Sequence, residues 1–315
     1  MFAQDVVFDD MSIEDFPKTV IEFDEYFSTE DACRDYLFKV RWPDGFRCPA
    51  CGWPKEWTNK CLYMECSDCG YQTSLTAGTI MHGSRKALRL WFKAMWWVCT
   101  QKTGGSAKGL QRHLGLGSYQ TAWAWLQKLR RAMIRLNREP LEGPFEVDDA
   151  FIGGTEEGVK GRETINKAKI VVAVEVAGGT RRETGRVRFR HVHDFSAKSL
   201  VSFVMENITK GSKVITDGWE EYTPIANMGF VHEVRVIGSN KKRAVELLPN
   251  VHREIPLLKR WLMGTHQGAV QPNQLQHYLD EFSFRQNRRK SRYVGKIFYE
   301  WFKEPWELRL HLTVS

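Results

Sequence analysis

An α/β domain preceded by a small metal-stapled module and a helical segment is the architecture that the sequence predicts. Three observations lead there. Four cysteines stand as two Cys-x-x-Cys pairs in the N-terminal part of the chain. A helical stretch rich in Trp, Lys and Arg follows over residues 81–139. From residue 140 the pattern changes to short Val- and Ile-rich strands separated by helices, the alternation of an α/β sheet.

The cysteines read Cys48-Pro-Ala-Cys51-Gly and Cys66-Ser-Asp-Cys69-Gly, separated by residues 52–65. Two such knuckles set four thiolates around one Zn²⁺ at tetrahedral geometry, with metal–sulfur distances of about 2.3 Å. A glycine after each pair lets the backbone turn tightly under the metal. Four thiolates leave no open coordination position, so Cys48, Cys51, Cys66 and Cys69 predict a structural zinc that performs no chemistry. The competing reading, a redox motif, does not explain two copies at ribbon spacing. Residues 1–80 are thus expected to form an N-terminal segment with a zinc ribbon. A helix near Ser28 to Val40, with Thr29-Glu30-Asp31 as a capped start, precedes the knuckles.

At 315 residues the chain has room for two or three domains. Its formal net charge of +8 favours a polyanionic partner, most simply nucleic acid. The charge is uneven: the first thirty or so residues are acidic, whereas Arg85 to Arg138 and Arg285 to Arg292 are rich in cations. Of seven cysteines, Cys33, Cys61 and Cys99 follow no pattern, which fits a reducing compartment better than a disulfide scaffold. The N-terminus has no basic region followed by an apolar stretch. The apolar helix around Leu88 to Cys99 is too short and too charged for a bilayer span. A cytoplasmic location is expected.

Residues 81–139 place Leu88, Trp91, Phe92, Met95 and Trp96 at helical spacing. Next come Ser106 to Leu114, a turn at Gly115-Leu-Gly117, and a helix opened by Ser118 that carries Tyr119, Gln120, Thr121, Trp123, Lys128, Arg130 and Arg131. Short helix, glycine turn and basic second helix are the order of a helix-turn-helix, whose second helix reads DNA. The plain alternative is a pair of core helices, and the Trp stripe is core in either case.

Pro140 and Gly143-Pro144 form a linker into residues 140–315. Strands are expected at Phe145 to Ile152, Lys169 to Val176, Val187 to His193 and Lys213 to Thr216, with helices at Ser196 to Ile208, Leu257 to Met263 and Leu275 to Phe284. Three strands able to form a meander, then a helix, then a strand ending in Asp predict an α/β domain of the ribonuclease H type. Asp148 lies inside the apolar run Phe145-Glu-Val-Asp-Asp-Ala-Phe-Ile152, where a carboxylate is costly unless paired, hydrogen-bonded or bound to a cation. Asp217 ends Lys213-Val-Ile-Thr-Asp217 before a glycine turn, a position where ligand sites form in open α/β sheets. Two such aspartates on neighbouring strands suit Mg²⁺ or Mn²⁺ and two-metal phosphodiester chemistry. Each alone reads more readily as a strand-end or turn carboxylate making local hydrogen bonds; it is the pair, behind a zinc ribbon and a helix-turn-helix, that favours chemistry. Asp149 competes with Asp148, since adjacent strand residues face opposite sides.

Several segments together resemble the ISXO-like insertion-sequence transposases of bacteria, which join an N-terminal zinc ribbon to a DDE-type transposase domain. They are the first knuckle, Leu114-Gly-Leu-Gly-Ser-Tyr-Gln-Thr-Ala-Trp123, Glu146-Val-Asp-Asp-Ala-Phe-Ile-Gly-Gly154, Thr216-Asp-Gly-Trp-Glu-Glu-Tyr222, Leu257 to His266, and Tyr278 to Arg289. The resemblance implies that Asp148 and Asp217 are the first two catalytic acids. It places the third metal ligand, variable in that family, seven residues before a lysine. Counting back from Lys259 gives His252, with Glu254 and Asn250 as alternatives. Neutral imidazole binds divalent metals. Lys259 is then expected to contact DNA phosphate.

The implied activity is metal-dependent DNA cleavage and strand transfer at the terminal inverted repeats of an insertion sequence. Double-stranded repeat and target DNA are the implied partners, and a homo-oligomer on paired ends is the implied assembly. A zinc-ribbon DNA-binding protein that has lost catalysis is the main alternative, and a hydrolytic nuclease of the same fold is another. Arg285, Asn287, Arg288 and Arg289 are read either as a DNA-backbone contact or as a basic helix C-terminus.

Overall fold

The computed structural model describes residues 16–58, 63–133, 138–154, 167–177, 184–236, 241–268, 270–291 and 294–300. Cys61 lies outside them. The chain forms two compact units, one from the residues up to Ala132 together with those from Ser291, the other Met133–Lys290.

In the first unit, α1 (Val20–Tyr26) and α2 (Glu30–Arg41) are opened by Thr19 and Thr29, whose hydroxyls accept the N–H groups of Glu22 and Ala32. A three-stranded antiparallel sheet follows, β1 (Glu56–Thr58), β2 (Tyr63–Cys66) and β3 (Gln72–Ser74), in that order. The helices α3 (Leu88–Thr100), α4 (Ala107–Leu114) and α5 (Tyr119–Ala132) complete the N-terminal part. Trp91, Trp96 and Trp125 are buried, and Trp91 stacks on Trp125 at 3.8 Å. The helix α4 stops at Gly115, whose φ of 64° is the left-handed geometry that glycine adopts at little cost.

The second unit holds a five-stranded sheet built from β4 (Phe145–Ile152), β5 (Ala168–Val176), β6 (Thr184–Val192), β7 (Lys213–Thr216) and β8 (Val231–Val234). The strand order is β6-β5-β4-β7-β8. The first three run as an antiparallel meander; β7 lies parallel to β4, and β8 parallel to β7. Between β6 and β7 comes α6 (Ala197–Asn207), and after β7 a 3₁₀ segment, Glu220–Met228. Then follow α7 (Lys241–Leu247), α8 (Val251–His266) and α9 (Leu275–Asn287). One face of the sheet buries Phe145, Val147, Val171 and Val214 against α6 residues such as Phe203 and Val204; the other buries Ile170, Val172 and Ile215 with Val251, Ile255 and Leu258 of α8.

The sequence places the residues after 290 at the end of the 140–315 block, whereas the described ones, Ser291 and Val294–Glu300, group with the first unit. There α10 (Val294–Glu300) inserts Phe298 among Phe23, Phe27, Phe92 and Trp96. The expected helix Leu257 to Met263 begins earlier, at Val251, because Pro256 sits within the helix rather than before it. No helix among the described residues is long and apolar enough to cross a membrane.

Candidate functional site

The four knuckle sulfurs are gathered on the ribbon. Cys48 Sγ lies 3.6 Å from Cys69 Sγ and Cys51 Sγ 3.5 Å from Cys66 Sγ, with all four ligand atoms within 4.8 Å of one another. A tetrahedron with metal–sulfur bonds of about 2.3 Å has edges of about 3.8 Å, so the donor set fits Zn²⁺. Gly52 and Gly70 have φ values of 76° and 69°, and each donates its N–H to the carbonyl of the first cysteine of its knuckle. Only glycine takes that turn without strain.

In the second unit, β4 alternates between the two faces of the sheet. Glu146 and Asp148 point toward α8, while Phe145 and Val147 enter the core under α6. Asp149 turns the opposite way from Asp148, and its carboxylate accepts from Tyr222 Oη at 3.4 Å. The parallel register pairs Phe145 with Val214 and Glu146 with Ile215. The same offset carried two residues further sets Asp217 level with Asp148. Asp217 anchors its own turn, Oδ1 accepting from the Trp219 N–H at 3.1 Å. Thr216, fully buried, donates its hydroxyl to the Asp217 carbonyl and meets His232 Nε2 at 2.8 Å.

The helix α8 supplies the third group. His252 Nε2 stands 3.7 Å from Asp148 Oδ2, is buried, and makes no hydrogen bond. Burial lowers the His252 pKa and nearby Asp217 pulls it upward, leaving the ring neutral near pH 7. The two alternatives to His252 are committed elsewhere. Asn250 donates its N–H and its Nδ2 to Glu146, and Glu254, fully buried, accepts from Thr184 Oγ1 and Gln286 Nε2. Lys259 is two turns beyond His252 on α8; partial desolvation and the proximity of Lys167 lower its pKa.

Asp148, Asp217 and His252 are not gathered as tightly as the sulfurs. The cysteine set is the one cluster of that closeness among the described residues. The imidazole nitrogen without a hydrogen bond faces a carboxylate, and such donors could hold a divalent cation: carboxylate oxygens suit Mg²⁺ or Mn²⁺, whereas imidazole suits softer ions better.

Other expected contact residues divide by exposure. Tyr119 and Gln120 at the start of α5 are exposed, whereas Arg130 is 2% exposed and Lys128 lies over the Trp91 ring at 5.8 Å. The basic end of α9 is engaged locally. Arg285 pairs with buried Glu281, Arg288 covers the Phe284 ring, Arg289 donates to Thr184 and Gly185 carbonyls, and Asn287 brackets Val187 on the sheet edge. Glu146 is a buried site-side carboxylate whose sequence signal is its place two residues before Asp148 in an apolar strand.

Two comparisons bear on the whole. Residues 28–72 match the transposase zinc-ribbon domain, and residues 140–287 match the ISXO2-like transposase domain. The chain is also 27% identical over 277 residues to an uncharacterized protein in transposable element ISH50 of Halobacterium salinarum, covering 82% of this chain and 91% of the relative. With its ribbon and its transposase domain in family order, the chain belongs to the ISXO2-like transposases.

Proposed function

We propose that this transposase binds the terminal inverted repeats of an insertion sequence and cuts and joins DNA there by metal-dependent phosphodiester transfer. The observation that carries the reading is His252 Nε2, free of hydrogen bonds and 3.7 Å from Asp148 Oδ2, beside a β4–β7 register that, carried past its last pair Glu146–Ile215, brings Asp217 level with Asp148. Strand order β6-β5-β4-β7-β8, with an antiparallel meander beside two parallel strands, supports a ribonuclease H-like domain.

Asp148, Asp217 and His252 hold Mg²⁺ or Mn²⁺ in this reading. A divalent metal pair, when bound, lowers the pKa of an attacking water or 3′-hydroxyl and neutralises the leaving oxygen. The chain's residues fix the carboxylates on a rigid sheet and keep the imidazole neutral, so that Nε2 offers a lone pair. Lys259, an exposed cation on the same helix, meets a DNA phosphate. Zn²⁺ in the cysteine cradle is structural. The exposed start of α5 reads bases, and the assembly on paired ends is a homo-oligomer acting on double-stranded DNA. A histidine at the third position brings no negative charge, which favours the catalytically inactive DNA-binding reading as the alternative.

Incubating the zinc-loaded protein with an end-labelled terminal-repeat duplex and a plasmid target separates these. Strand-transfer products in Mg²⁺ or Mn²⁺, absent with EDTA, are expected. Repeat binding without any cleavage in either metal would establish the inactive reading, and cleavage without joining a nuclease.

A further inference from the structure

Glu146 has no part in the chemistry proposed above, yet it is 1% exposed in an apolar strand and spends its whole carboxylate on the beginning of α8. It accepts from Asn250 N–H at 2.6 Å, Asn250 Nδ2 at 2.7 Å and Val251 N–H at 3.0 Å. The first N–H groups of a helix have no intrahelical acceptor and carry the positive end of its dipole. The N-cap side chain ordinarily takes one of them, but Asn250 makes no such bond. A carboxylate from a strand far away in sequence does it instead.

The residue after Val251 is His252. Two residues beyond that, Glu254 is fixed by Thr184 of β6 at 3.0 Å and by Gln286 of α9 at 2.7 Å. Two buried carboxylates therefore grip the first turn of α8 on either side of the imidazole. The helix itself grips less: Pro256 lacks an N–H, so the His252 carbonyl loses the hydrogen bond that would close the next turn.

We infer that Glu146 is a positioning residue, setting the rotation and height of the first turn of α8 so that His252 Nε2 faces Asp148. The inference rests on the reading of His252 as a metal ligand.

The test uses the full-length zinc-loaded chain and Mn²⁺ titration followed by electron paramagnetic resonance, with single-turnover strand transfer alongside. Glu146→Gln removes the negative charge that faces the α8 N-terminus, and its NH₂ opposes Asn250 Nδ2 unless the Asn250 amide turns over. Adding Asn250→Asp supplies an acceptor and restores the original net charge. Glu146→Gln should weaken Mn²⁺ about tenfold and slow transfer with the KM for DNA unchanged. The double variant should recover most of both. Asn250→Asp alone sets carboxylate against carboxylate and should weaken Mn²⁺ as well. Wild-type Mn²⁺ affinity in Glu146→Gln, a double variant that regains thermal stability but not affinity, or tighter Mn²⁺ binding by Asn250→Asp alone would each overturn the inference. His252→Ala is the reference: if it leaves Mn²⁺ affinity intact, the ligand reading itself fails and the positioning role with it. If it weakens Mn²⁺ while Glu146→Gln does not, only the positioning role fails.

Discussion

In the first unit the four sulfurs come from two knuckles within Cys48–Cys69, each closed by its own glycine turn, and they stand within 4.8 Å of one another. In the second unit the three proposed ligands come from β4, β7 and α8, and no local turn brings them together. The cradle is fixed by short-range geometry. The proposed acid–histidine group depends on strand register, on a helix start, and on the buried carboxylates of Glu146 and Glu254 that hold that start. A site of the first kind is sensitive chiefly to its ligands; one of the second kind is also sensitive to what holds the ligands.

The widest separation of the two sites comes from removing zinc ligands. Cys66→Ser with Cys69→Ser should abolish zinc binding in metal analysis and unfold the ribbon, since structural zinc is itself folding free energy. The unfolding transition of the second unit should stay in place. Full zinc retention would remove the cradle from the account.

Within the second site, neighbours on α8 should divide by role. His252→Ala should lower strand transfer by about a hundredfold with little change in thermal stability. His252→Glu should restore part of the activity by supplying a carboxylate. Glu254→Ala should differ from His252→Ala in costing about 1–3 kcal/mol of stability, by leaving Thr184 and Gln286 without their acceptor. Equal stability losses in the two alanine variants would place His252 among the structural residues.

Two cations on α5 sharpen the comparison on the binding side. Arg130 is buried, so Arg130→Ala should reduce stability and leave the salt dependence of DNA binding unaltered. Arg131→Ala should flatten the log–log salt slope by about one unit. Reversal of these effects would mean that α5 presents another face to DNA.

The smallest effect is a pH dependence. Burial raises the Asp280 carboxyl to about 6 against the downward pull of Arg138, 3.7 Å away. A folded pKa above the ordinary 3.8 means that the fold favours the protonated form. This contribution is complete below the ordinary value and is lost as pH rises through about 6. Asp280→Asn should therefore gain stability relative to the unmodified chain as pH is raised across that window, read from thermal unfolding in matched buffers. A constant difference between the two would refute the shift.

Much of this was legible in the sequence where the signal is short-range. The knuckle spacing defined the cradle, and apolar runs ending in Gly defined β4 and β7 with their aspartates. Strand alternation alone puts Asp148 and Asp149 on opposite faces, but which face each takes is visible only from the packing of α8 on one side and Tyr222 on the other. The start of α8 was hidden because a proline after a Glu-Ile pair reads as a helix boundary, whereas this helix absorbs it. The roles of Asn287 and Arg289 were equally hidden, because their partners lie about a hundred residues away on β6. Charge pattern alone also could not separate Arg130, which faces inward, from Arg131 beside it.

The proposed chemistry depends most on Asp148 and Asp217 acting as one site. Strand transfer of a labelled terminal-repeat duplex, measured in Mg²⁺ and Mn²⁺ for Asp148→Ala, Asp149→Ala and Asp217→Ala, tests that directly. Asp148→Ala and Asp217→Ala should each lose about a thousandfold or more with repeat binding retained, while Asp149→Ala, facing Tyr222, keeps measurable transfer. Wild-type strand transfer by Asp217→Ala would contradict the account.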